Sequence, residues 1–148
     1  MRTCAALVAA TLVLAACAAP ATPLPSPPGP IASSGDDCAV IAAIAKEHYR
    51  FNDTDNRPPP IRFDGDYAPR CDWSRYGLAF QPYDPDAPGD PRQRVRWVSF
   101  ARPAYDSGGA VVETGIMHGP LAGMGYECRV RSGFAGWTVG ECRNSWVS

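Results

Sequence analysis

The chain has 148 residues, with 14 Lys and Arg against 15 Asp and Glu, a formal net charge of −1 and 45% hydrophobic residues. So even a balance excludes a broad electrostatic claim on nucleic acid or on an anionic lipid surface. The length suits one domain of ordinary size rather than several.

The first residues read as an export signal. Arg2 supplies a positive start, and Ala5 to Ala16 is apolar apart from Thr11. That run is about a dozen residues, whereas a helix needs ~20 to span a bilayer. It ends in Leu14-Ala15-Ala16-Cys17. This ending resembles the lipobox of bacterial lipoproteins, with Leu three residues before the cysteine and small residues between. The resemblance implies that the Cys17 thiol accepts a diacylglyceryl group. A peptidase then cuts before it, and the new α-amino group is acylated in turn. An ordinary signal peptide cut after Ala16 or Ala19 is the alternative. Two or three acyl chains hold a protein at a membrane stably, where one does not. Residue 18 is Ala rather than the Asp that commonly marks inner-membrane retention, so an outer-membrane anchor facing the periplasm is expected.

Residues 1–16 are therefore read as the signal peptide and 17–35 as the lipidated cysteine followed by a tether. Prolines at 20, 23, 25, 27, 28 and 30 favour extended chain and leave no core to bury. Loss of Arg2 with the signal leaves 13 basic residues against 15 acids, a net charge of −2 for the mature chain.

Residues 36–148 make the domain. Asp36 to Phe51 reads as a helix, with Cys38, Ile41, Ile44, Ala45, His48 and Phe51 recurring at three- and four-residue steps. Asn52 to Pro60 is rich in turn formers and ends in three prolines. Ile61 to Phe63 suits a short strand, and Gln81 to Pro91 a loop. Four strands are expected next: Arg94 to Phe100, Ala110 to His118, Tyr126 to Arg131 and Trp137 to Arg143. Arg102 to Gly109 and Gly119 to Gly125 read as connections, and Ser132 to Gly136 as a hairpin loop. Tyr126, Cys128 and Val130 alternate with Glu127, Arg129 and Arg131, the period of a half-buried antiparallel strand. The expected fold is α+β: an N-terminal helix packed on a four-stranded antiparallel meander, with two disulfides.

Six cysteines are present. Cys4 leaves with the signal and Cys17 carries lipid. Cys38, Cys71, Cys128 and Cys142 remain, an even number in an exported domain, and read as two disulfides. Three pairings exist. Cys38–Cys71 would staple the helix to the chain that follows. Cys128 and Cys142 share a face of the predicted hairpin, near disulfide reach in either of two registers. No cysteine pair has the short spacing of a zinc site, so no metal and no cofactor are expected.

The run Val95 to Phe100, the segment Gly109 to Val112, Gly119-Pro120-Leu121-Ala122-Gly123-Met124-Gly125-Tyr126, Gly136 to Val139 and the final Trp146-Val147-Ser148 are similar to a C-terminal pattern in exported bacterial proteins of unassigned activity. The resemblance implies a sheet and a secreted setting, and no reaction.

Chemistry is sparse. His48 falls on the helix's apolar face and reads as a core histidine. His118 ends a strand before Gly119-Pro120, where a general base or ligand would fit, but Ser107 and Ser132 lack a nucleophile-elbow glycine pattern. Asp53, Asp55 and Asp64 have calcium-loop spacing, yet Arg57 and Pro58 occupy positions that a calcium loop gives to a ligand and to glycine. Trp73, Trp97, Trp137 and Trp146 divide between core and groove, with Trp97 and Trp137 the candidates for ligand contact. The expected function is a non-catalytic binding or structural module held at the membrane by its lipid, its partner an envelope protein or a small ligand. A small periplasmic enzyme using His118 and an inhibitor or immunity-type lipoprotein are the alternatives.

Overall fold

The computed structural model describes residues 35–87 and 95–148. The expected signal peptide, Cys17 and the tether up to residue 34 lie outside the described residues, as do residues 88–94, which hold the end of the predicted loop and the first residue, Arg94, of the strand predicted after it. No described helix is long and apolar enough to cross a membrane.

The helix α1 is shorter than the periodicity predicts, Asp37–Glu47. Two features stop it. His48 and Tyr49 both donate their backbone N–H to the Ile44 carbonyl, and Arg50 turns into the left-handed region at φ 62°. Asn56 then holds the reversal by donating its side-chain amide to the carbonyls of Tyr49 and Arg50 at 3.1 and 3.0 Å. The Asn52 side-chain oxygen accepts the N–H groups of Thr54, Asp55 and Asn56 at 2.9–3.1 Å. The segment offered above as a calcium-like loop is thus organised around an asparagine oxygen.

Val40 to Ala45 are all buried, so α1 is enclosed around its circumference rather than along one stripe. The sheet covers one side. The chain from Tyr49 to Phe80 supplies aromatic rings to the same core: Phe51 meets Phe80, which meets Trp73 and Phe100, in edge-to-face pairs 5.3–6.5 Å apart. Such pairs add about 0.5–1.5 kcal/mol each beyond area burial.

The predicted four-stranded antiparallel meander is corrected by a mixed sheet of six strands. These are β1 (Ile61–Phe63), β2 (Trp97–Phe100), β3 (Ala104–Asp106), β4 (Gly109–Gly119), β5 (Ala122–Gly133) and β6 (Gly136–Val147). The order is β1-β2-β4-β5-β6, with β3 also paired to β4. β1 lies parallel to β2, Ile61 opposite Val98, and every other pairing is antiparallel. β3 falls in the stretch read as a turn. β5 begins within the Gly-rich stretch read as a connection, leaving a two-residue hairpin at Pro120-Leu121.

Two disulfides are present, as expected. Cys38–Cys71 ties the first turn of α1 to the loop before a 3₁₀ turn at Trp73–Tyr76. Cys128–Cys142 joins directly opposed residues of β5 and β6. Val98, Phe100, Val112, Cys128 and Val130 are fully buried on the helix side of the sheet. The opposite side has no layer of structure over it among the described residues.

Candidate functional site: the open face of the sheet

Side chains alternate across a strand, so the residues between the core positions form the second face. Near the β3 end this face is charged. Arg129 pairs with Asp106 at 2.6 Å, and Arg143 with Glu141 at 3.0 Å. The guanidinium of Arg129 holds the Asp106 carboxyl below the usual carboxylate range.

The other end has a different floor. Gly115 faces Gly125 across β4 and β5, and Gly125 faces Trp146 on β6. Ser99 continues the row on β2. A Cβ at Gly125 would overlap the Trp146 indole at its Nε1, Cε2 and Cδ1 atoms. One at Gly115 would come within 3.1 Å of the indole Cζ2. The ring therefore lies over both strands in space that two missing side chains leave. Met117 fills the corresponding space over Gly123.

A shift in register between β5 and β6 lies beside it. Gly125 pairs with Trp146 but Tyr126 pairs with Asn144, leaving Ser145 extra. A bulge of this kind re-aims side chains locally, and here both Ser145 and Trp146 border one cleft. The cleft has a volume of about 330 Å³ and is further lined by Arg62, Asp64, Trp97, Ser99, Glu113 and Met117. β1 contributes Arg62, and Asp64 follows at its end. Trp97 is braced by Tyr83, with ring centroids 4.9 Å apart. One guanidinium and two carboxylates give the cleft a net charge of −1. Trp146 is 44% exposed. The chemistry offered is an aromatic surface beside hydrogen-bonding groups of both polarities.

The two tryptophans singled out from sequence do not meet. Trp97 borders the cleft, whereas Trp137 packs against the core and faces Tyr105 at 6.1 Å. Trp146 takes the place beside Trp97. Its position at the chain end hides its role in the sequence, and the signal that could have found it is the glycine pair Gly115 and Gly125 on a common face. His118 is exposed at the irregularity near the end of β4, and it is not among the residues bordering the cleft.

Two further clusters lie on the helix side. Asp37 accepts hydrogen bonds from the Tyr67 and Tyr105 hydroxyls at 2.8 and 2.5 Å. Burial first, and then hydrogen bonding to the carboxylate, raises both phenols well above their ordinary value. Arg102 sits over the Tyr67 ring at 5.2 Å. The second cluster is His48, whose ring meets Tyr126 edge-on at 4.4 Å and Tyr49 at 4.7 Å. Burial lowers the His48 pKa below its usual value. Its imidazole nitrogen lies within 4.8 Å of the sulfurs of both Cys128 and Cys142.

Comparison with protein-family models, with curated proteins and with solved structures finds no match to this chain.

Proposed function

We propose that this chain is an exported, lipid-anchored binding protein of the bacterial envelope that holds a saccharide in the open-face cleft. Three features support the reading. The Leu14-Ala15-Ala16-Cys17 ending provides the anchor. Two disulfides suit an oxidising, exported setting. The observation that carries the ligand class is the Trp146 indole laid over the Gly115–Gly125 floor, with Asp64, Glu113, Arg62 and Ser99 around it.

The physical argument runs from the ring. An indole face is the negative pole of its quadrupole. The axial C–H bonds on one face of a pyranose form its least polar surface and carry small positive partial charges, so the two stack. Hydroxyls at the ring edge then need both acceptors and donors. Asp64 and Glu113 supply acceptors, Arg62 supplies donors, and Ser99 and Ser145 supply either. A shallow, solvent-open cleft suits a ligand that is itself polar on its rim.

Titrating the mature domain with soluble muropeptide-free glycan fragments and with lipopolysaccharide core oligosaccharide, read by tryptophan fluorescence, tests the ligand. Saturable binding that falls at least about tenfold in Trp146→Ala, roughly 1.4 kcal/mol, is expected. Equal affinity in wild type and Trp146→Ala would remove the cleft as the site. The anchor is tested separately: Cys17→Ser should release the protein from the membrane fraction, and unchanged partitioning would remove the lipid.

A further inference from the structure

The Cys128–Cys142 disulfide, with His48 against it, holds a second set of chemistry that glycan binding does not use. We propose that, once reduced, Cys128, Cys142 and His48 form a binding site for one thiophilic divalent cation such as Zn²⁺. The redox step is balanced by thiol–disulfide exchange. A dithiol thiolate attacks the sulfur of Cys142, the less buried residue of the pair, and its partner thiol then resolves the mixed disulfide. Two electrons and two protons pass to the cysteines, and the donor becomes a disulfide. Metal binding then displaces the two thiol protons.

The geometry favours such a site because the scaffold does not depend on the bond. Cys128 and Cys142 are opposed residues in a β5–β6 pairing that runs from Met124↔Val147 to Gly133↔Gly136. The regular stretch Tyr126↔Asn144 to Arg129↔Glu141, bounded by a bulge on each side, keeps their Cα atoms, now 4.0 Å apart, facing one another after reduction. The ligand atoms of all three residues already lie within 4.8 Å of one another. Zinc bonds of ~2.3 Å to sulfur and ~2.0 Å to nitrogen require ligand atoms ~3.5–3.8 Å apart in a tetrahedron. Rotations about the cysteine side chains suffice to open the sulfurs to that spacing. His48 is held independently, at the end of α1, by its edge-on contacts with Tyr49 and Tyr126. Three protein ligands leave the fourth position to water, and Cys142 is only partly buried, so the ion has a route in. The other disulfide has no such third ligand: the only cluster of three potential ligands among the described residues is the one containing His48.

The test uses the mature domain, reduced with a dithiol, freed of excess reductant under anaerobic conditions, and titrated with Co²⁺ and then Zn²⁺. One equivalent of Co²⁺ should produce thiolate-to-cobalt charge-transfer absorption that Zn²⁺ abolishes. The oxidised protein should give none. His48→Ala should weaken binding by about tenfold or more, and Cys128→Ser/Cys142→Ser should abolish the signal although Cys38 and Cys71 are still present as thiols. Equal binding by the double serine variant, no effect of His48→Ala, or no signal in the reduced wild type would each overturn the proposal. Loss of the strand circular dichroism on reduction would overturn it too, since the site requires the ladder to survive.

Discussion

The two faces of one sheet divide this molecule's work. On the helix side, Val98, Phe100, Val112 and Val130 are completely buried in the hydrophobic core. One residue along each strand, the other face holds Ser99, Glu113, Arg129 and a row of glycines. Neighbouring positions on the same backbone thus meet opposite demands. Packing on the first face tolerates little change in volume. On the second, a side chain is as consequential where it is missing as where it is present, because Gly115 and Gly125 create the bed in which Trp146 lies.

That contrast can be broken from either side. Phe100→Ala removes a fully buried ring from the centre of the aromatic cluster and should cost about 3–5 kcal/mol, read as a lower midpoint in urea with an unchanged slope. Glycan affinity measured below the transition should stay near wild type; a parallel loss would mean that the faces are not separable. Gly125→Ala works in the opposite direction. The new methyl overlaps the Trp146 indole, so the ring must leave its bed. Binding should fall as far as in Trp146→Ala, while thermal stability changes less than in Phe100→Ala.

His48 gives the core side a pH signature. Its pKa is lowered in the folded state by burial, so the unfolded chain binds the proton more readily. Stability should therefore fall as pH drops through the ordinary histidine value of about 6.5 toward the folded value, and should be regained as pH rises. Denaturation of His48→Gln across pH 5 to 8 should show a flatter profile; an identical profile would exclude this histidine as the cause. The smallest effect belongs to the charged end of the open face. Asp106→Asn breaks the exposed pair with Arg129, and exposed ion pairs contribute little. No resolvable shift in melting is expected, and a large drop would mark this region as structurally more than a solvated surface.

Much of the C-terminal hairpin is legible in sequence because alternation is a direct consequence of one buried face. Cys128 and Val130 point inward while Glu127 and Arg129 point out; the spacing of the hairpin alone would set Glu141 against Cys128, and the bulge between Arg129 and Val130 brings Cys142 there instead. The Gly119–Gly125 stretch is misread for an equally physical reason. Glycine marks a turn when the backbone must bend, but it also marks a strand that something crosses closely. Met117 over Gly123 and Trp146 over Gly125 are the second case, and no local pattern separates the two. Ala104–Asp106 is too short to declare itself a strand, and the parallel pairing of Ile61–Phe63 with Trp97–Phe100 depends on a partner more than thirty residues away. Helix length is overestimated because Phe51 continues the apolar period after Arg50 has reversed the chain. In the cleft, Trp97 is recognisable as a candidate, whereas Trp146 needs the bulge at Ser145 to reach it.

The covalent staple near the start of α1 has a mechanical consequence. Asp37 and Cys38 stand at the start of α1, one hydrogen-bonded to Tyr67 and Tyr105 and the other joined to Cys71. A pull applied through the preceding segment is carried within two residues into a loop more than thirty positions along the chain. The helix is therefore loaded as part of a closed ring, and tension from that side cannot unwind it turn by turn.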